Sequence, residues 1–237
     1  MAAYSPNKSV WYNPNIQYLF NTFIGEYDMR DAGYSLIKEF RLLPQSTIDE
    51  LSKITGRDRH IKVGIIQRDD KEFSRKFQQA FTEARQWFIS SNHLNDNQII
   101  TVKRDAFFVT QKCINLRRGD IKFRLKNEYT SYIRFPNNHN LELFFNDAGI
   151  DVKGMNDSSV DAHRLYMYAF IRSIVSMIER KSKGVKTKMM RFIDEYKSGK
   201  LETPYYLEFN NMAREVNPVF NYLNVLVPLV NIIQAEV

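Results

Sequence analysis

Two short acidic segments carry the chemistry that this sequence can offer. The stretch Gln98-Ile-Ile-Thr-Val-Lys-Arg-Asp105-Ala-Phe-Phe-Val-Thr110 sets one carboxylate and two cations between two runs of strong strand formers. Ile, Val, Thr and Phe pack well on a pleated surface, so the stretch reads as a β-hairpin with Asp105 at its turn. Upstream, Ile24-Gly-Glu-Tyr-Asp28-Met-Arg-Asp-Ala-Gly-Tyr-Ser-Leu36 places Asp28 where a strand gives way to a helix. Carboxylates from separate strands suit Mg²⁺, which takes hard oxygen ligands and needs few from the protein. The expectation is a phosphoryl-transfer site in which Asp28 and Asp105 are catalytic and hold the metal. A lone Asp beside Arg104 equally fits a solvated hairpin tip, and that alternative stays open.

Three other stretches concentrate charge. Arg117-Arg-Gly-Asp-Ile-Lys-Phe-Arg-Leu-Lys126, followed by Tyr129 and Tyr132, interleaves cations with aromatics. Arg117, Arg118 and Lys122 would meet phosphates while Tyr129 and Tyr132 stack on bases, making nucleic acid the expected partner. A plain basic strand face is the alternative. Arg180-Lys-Ser-Lys-Gly-Val-Lys-Thr-Lys188 is the densest basic patch and joins two expected helices. Asp151-Val-Lys153 matches the carboxylate and lysine pair of Mg²⁺-dependent restriction-type nucleases, a three-residue pattern that an exposed hairpin also produces. His60, His93, His139 and His163 show no ligand spacing and no nearby nucleophile pattern.

Composition narrows the class. The 237 residues, 43% of them apolar and 14% aromatic, are enough for one large or two small domains with a real core. Basic residues outnumber acidic ones, 34 to 27, for a formal charge of +7, a bias that favours a polyanionic partner. Cys113 is the single cysteine, which excludes an internal disulfide and a multi-cysteine zinc site, so a reducing cytoplasm is expected. Residues 1–15 are polar with no apolar core of the signal-peptide kind. The apolar stretch 216–233 is interrupted by Asn217, Asn221, Asn224, Pro228 and Asn231, so no membrane partner is expected.

Periodicity then gives the elements. Residues 1–15 read as an extended arm whose aromatics would dock on a protein partner or a second copy. Residues 16–157 read as an α+β domain and 158–237 as a helical cap. Helix is expected over 32–41, from the Ser46 cap to Ile54, and over 70–91, where Phe73, Phe77, Ala80, Phe81, Ala84, Trp87 and Phe88 share a face. Strands are expected at 121–125, 129–135, 141–145 and 150–153, with turns at 136–138 and 147–149. Helices follow over 160–181, 185–198, 204–216 and 218–233.

This order of parts resembles the palm of template-directed nucleic acid polymerases. In that family motif A supplies a metal-binding Asp followed by a helix, motif B supplies cations for the incoming triphosphate, and motif C supplies an Asp at a hairpin turn. The matching residues are Asp28, then Arg59 and Lys62 with Arg68 as an equal candidate, then Asp105, so the resemblance covers about residues 20 to 115. It implies a mixed or antiparallel palm-like sheet with flanking helices, Mg²⁺-dependent nucleotidyl transfer, and Arg59, Lys62 or Arg68 as nucleotide-binding cations. It also implies that a bulky side chain shortly after Asp28, among Asp31, Ala32, Gly33 and Tyr34, would screen the sugar; Gly33 can block nothing, Tyr34 could, and acceptance of ribonucleotides is the expectation. The pattern departs from the family where Ala106, not a second acid, follows Asp105, and where the cations of motif B are spaced closely. The whole also looks like a small class of phage proteins carrying such a palm. The rival expectation is a phage accessory or assembly protein that binds nucleic acid or a protein without chemistry.

Overall fold

The computed structural model describes residues 3–135, 141–154 and 169–201. By its contacts the chain divides into two units, residues 1–16 with 23–128, and residues 17–22 with 129–237. Both are built from antiparallel pairs with helices packed on them, an α+β fold.

In the first unit a six-stranded sheet runs in the order β1 (Val10–Tyr12), β4 (Ile99–Lys103), β5 (Ala106–Val109), β3 (Ile24–Met29), β7 (Ile121–Tyr129), β6 (Arg117–Arg118). Successive side chains of a strand point to opposite faces. Tyr27 and Met29 of β3, Val102 of β4, Phe107 and Val109 of β5, and Ile121 and Phe123 of β7 enter one core, together with four helices. Those helices are α1 (Ala32–Glu39), α2 (Gln45–Ser52), α3 (Gly56–Asp69) and α4 (Lys71–Ser91). The longest, α4, starts where the Asp70 carboxylate accepts the Phe73 N–H at 2.9 Å, which satisfies a free donor of the first turn. It buries Phe73, Phe77, Ala80, Ala84 and Phe88, all on one face. Phe88 is fully buried, its ring 4.8 Å from Phe107 and 4.3 Å from Phe123, and burial of such a ring contributes about 1.5–3 kcal/mol. Gly25 is required by space, because a Cβ there would meet the Tyr27 ring at 2.6 Å.

The expected N-terminal arm is part of this unit. Its residues Val10–Tyr12 pair with β4, and Tyr4 and Trp11 are buried in the core, their rings 5.3 Å apart. Those two aromatics therefore face inward and do not form the docking arm that the sequence suggested.

The second unit holds a four-stranded sheet in the order β10 (Gly149–Lys153), β9 (Leu141–Asn146), β8 (Ser131–Phe135), β2 (Tyr18–Leu19). Ile133, Phe135, Leu141, Leu143 and Phe145 form a core with α5 (Ala169–Glu179) and α6 (Val185–Lys197). The units part between Glu128 and Tyr129, ahead of the boundary expected near 157, because β8 to β10 share a core with α5 and α6. The expected turn at 136–138, the start of the 160–181 helix and the helices over 204–216 and 218–233 lie outside the described residues.

Candidate functional site

The β4 and β5 strands join through Arg104 and Asp105, with Lys103 opposite Ala106. Across the next ladder Ala106 lies opposite Asp28, so the hairpin turn and the end of β3 are neighbours. The Met29 N–H donates to the Asp105 carbonyl at 3.2 Å. Arg104 takes a left-handed φ of 57° to close the turn, and its N–H donates to the Ser9 carbonyl at 2.5 Å. From beneath, the buried Arg85 of α4 donates to the Arg104 carbonyl at 2.9 Å and to the Pro6 carbonyl at 3.0 Å. Desolvation lowers the Arg85 pKa, while the charge of Asp105 acts the other way. Arg85 is a positioning residue that the sequence reading missed. Its signal was there, a cation four residues after Phe81 and three before Phe88, on the apolar side of α4.

The electrostatics follow from this placement. Burial pushes the Asp105 carboxyl above the ordinary carboxylate range, its own backbone N–H opposes that, and the charge of Asp28 raises it further. Arg104 and Lys126 lower it. Asp28 itself pairs with Arg124 at 3.3 Å. On the same face of β3 the buried Glu26 accepts from Lys126 at 3.0 Å and from Asn127 at 2.6 Å. These bonds match Glu26 with 126 and Asp28 with 124, and the Arg30 N–H donates to the Lys122 carbonyl at 2.8 Å, so β3 and β7 run antiparallel. The two-residue period of β7 then puts Lys122, Arg124 and Lys126 on one face, beside the carboxylates. Glu26, Arg124 and Lys126 were not singled out from sequence; the alternation of cations along 122–126 was the available signal.

Two carboxylates whose charges repel would be relieved by Mg²⁺, which completes its shell with water and substrate oxygens rather than with further protein ligands. Among the described residues no group of three or more His, Cys, Asp and Glu side chains that could hold a metal ion is found.

A protein-family model described as "Bacteriophage PBS1 gene 130 protein" matches residues 1–234. The chain belongs to this phage protein family. No curated protein matches it. Among the described residues no helix is long and apolar enough to cross a membrane.

Within this phage protein the remaining expected site residues fall in several places. Arg59 is buried, donates through Nε to the Leu51 carbonyl at 2.9 Å and to the Ile54 carbonyl at 2.8 Å, and pairs with Asp31. Its guanidinium also lies 4.2 Å from the Tyr34 ring centroid. Lys62 pairs with Glu50 at 2.9 Å and Arg68 with Asp69 at 2.7 Å, and no hydrogen bond or ion pair joins any of the three to Asp28 or Asp105. A Cβ at Gly33 would meet Val63 at 3.5 Å and Phe77 at 3.6 Å, and Tyr34 is half-buried against the core under Arg59.

Arg117 lies directly opposite Lys122 across the β6 and β7 hairpin. Like charges so placed destabilise a sheet unless an anion bridges them. Arg118 pairs with Glu39 at 3.7 Å. Tyr129 and Tyr132 are buried, the first donating to Asp151 at 2.5 Å and the second to Glu142 at 2.8 Å, so the expectation that their rings stack on bases is corrected. Neighbouring aromatic rings and strand pairing cover them. Lys153 and Asp151 form an ion pair at 2.9 Å, with the Tyr129 hydroxyl on the same carboxylate.

Proposed function

We propose that this phage protein acts on nucleic acid through the face of its first sheet opposite α1 to α4, by Mg²⁺-dependent nucleotidyl transfer of the palm kind in the host cytoplasm. The observation that carries the reading is the pairing of β3 with the β4 and β5 hairpin, which makes Asp28 and Asp105 electrostatic neighbours. Strand order adds support. Taken as first, second, third and fourth strands, β3, β4, β5 and β7 lie in the order 2-3-1-4 with helices between the first and second, the arrangement of a split βαβ sheet lacking its second helix.

Phosphoryl transfer asks a protein mainly for position and charge neutralisation. Bound Mg²⁺ would supply Lewis acidity at the attacking hydroxyl and the leaving pyrophosphate. Asp28 and Asp105 would hold it, Arg85 keeps the Asp105 turn fixed, and Arg124, Lys126, Lys122 and Arg117 offer cations to substrate phosphates. In this reading Arg124 changes partner, leaving Asp28 for a phosphate when the metal binds.

Primer extension with Mg²⁺ or Mn²⁺, read together with Mn²⁺ binding, tests the proposal. Asp28→Asn and Asp105→Asn should each weaken metal binding and lower extension by about 10²-fold or more. Metal binding unaffected by both substitutions would overturn it. The rival is a phage accessory or assembly protein that binds without catalysis, favoured by the ion pairs that Arg124 and Lys126 already make with Asp28 and Glu26. Nucleic-acid binding that ignores Mg²⁺, with no extension, selects the rival.

A further inference from the structure

We propose that the turn between α5 and α6 is a second nucleic-acid contact that grips the phosphodiester backbone without reading sequence. The α5 helix ends at Glu179 and α6 begins at Val185. Between Arg180 and Lys188 stand five cations, Arg180, Lys181, Lys183, Lys186 and Lys188, and no carboxylate. All five are exposed. The acid adjacent in sequence, Glu179, is half-buried and accepts from Ser131 Oγ at 2.6 Å and Thr130 Oγ1 at 3.2 Å. Lys188 donates to the Ser173 hydroxyl at 2.5 Å, a neutral partner, and among the described residues Arg180, Lys181, Lys183 and Lys186 have no ion pair.

Several surface cations elsewhere are paired. Lys38 pairs with Asp120, Lys62 with Glu50, Arg68 with Asp69, Lys76 with Glu72, and Arg191, three residues past the turn, with Glu195. Cations held together without counter-charge repel one another, and an external anion relieves that repulsion. The turn itself is held firmly enough to present them as a set. The Lys181 N–H donates to Ile178 and the Ser182 N–H to Met177, both at 2.9 Å, while Lys181 and Gly184 take left-handed φ values of 50° and 85°.

A nucleic-acid backbone matches this density of charge, because every nucleotide carries a phosphate. A lipid surface fits less well. The apolar sides of α5 and α6 are committed to their own core, and of the residues from Val185 to Lys197 only Met190 is an exposed large apolar side chain, which leaves no face to insert. The contact requires no chemistry at Asp28 or Asp105, so it stands if the nucleotidyl-transfer reading falls.

The test uses the full chain and a fluorescein-labelled 20-nucleotide DNA single strand, with anisotropy read over a salt series. Neutralising Lys181, Lys183 and Lys186 to Gln should weaken binding at least tenfold at low salt. It should also flatten the plot of log affinity against log salt by about 2, since each phosphate contact on a single strand contributes about 0.7. A charge-matched control, Lys71→Gln with Arg75→Gln and Lys76→Gln on the exposed side of α4, should leave affinity within about twofold. Equal losses in both variants would reduce the effect to net charge and overturn the proposal, as would no loss in the first. Binding of the wild type to phosphatidylserine vesicles but not to the DNA would transfer the patch to membranes and overturn it too. Mn²⁺ binding should be unchanged in the Lys181, Lys183 and Lys186 variant, which separates this contact from the catalytic reading.

Discussion

Charge is handled in opposite ways in the two units. In the first unit several acids have a counterpart, Glu26 with Lys126, Asp28 with Arg124, Asp31 with Arg59, while Asp105 has no ion pair among the described residues. At the α5 and α6 turn the charges have one sign and no ion pair among the described residues. Paired charge in a folded protein is explained by the fold itself. Charge left without compensation costs stability, so it points outward to something the chain binds: a cation for Asp105 and a polyanion for the turn. The contrast breaks if paired groups prove functional or if the unpaired ones prove indifferent.

The largest effect is expected where compensation is most complete. Arg59→Met would leave the Leu51 and Ile54 carbonyls and the Asp31 carboxylate without their donor. Hydrogen bonds from a charged donor contribute about 1.5–3 kcal/mol each, and the retained aliphatic stem recovers part of the packing, so a loss of about 3 kcal/mol in urea denaturation is expected. Unchanged stability with weakened nucleotide binding would instead make Arg59 a ligand group and blur the contrast.

Arg85→Met should come next, at about 2 kcal/mol, because it removes the donors to Arg104 and Pro6 but leaves no carboxylate unpaired. Extension activity should fall with it, and Mn²⁺ affinity should fall as the Asp105 turn loosens. A stability loss with full activity would confine Arg85 to holding the N-terminal segment. Arg124→Gln, on an exposed pair, should change stability by less than about 1 kcal/mol while tightening Mn²⁺ binding, since the cation competing for Asp28 is gone.

Local pattern carried much of this in advance. The Asp105 hairpin needs only alternating strand formers around a polar break, α4 shows its buried face by spacing alone, and β9 and β10 meet at a turn over 147–148 as expected. What failed to show was nonlocal. Glu26 meets Lys126, and Asp28 meets Arg124, only because β7 returns to lie beside β3, and no feature of either segment announces its neighbour. Tyr129 and Tyr132 have the composition of a stacking surface, yet tertiary cover buries them. Arg59 misleads for a related reason, as α3 turns a cation and Val63 inward and leaves Ile61 and Ile65 exposed, inverting the usual pattern.

The smallest effect expected is also the one of opposite sign. Asp105 has a raised pKa in the folded protein, chiefly from burial and then from Asp28. A carboxyl raised in this way favours the fold while protonated, below the ordinary Asp value, and loses that contribution as pH rises through the raised folded value. At pH 7 the ionised group therefore works against the fold. Asp105→Asn keeps the shape and removes the charge, so its melting temperature should exceed that of wild type at pH 7, with the difference closing as pH falls below about 4. Adding Mg²⁺ should raise the wild-type value and leave the Asn variant unmoved, because a ligand that binds only the folded state stabilises it by mass action. A variant less stable than wild type at pH 7 would mean that Asp105 is compensated after all, and the distinction drawn between paired and unpaired charge would fail at its central residue.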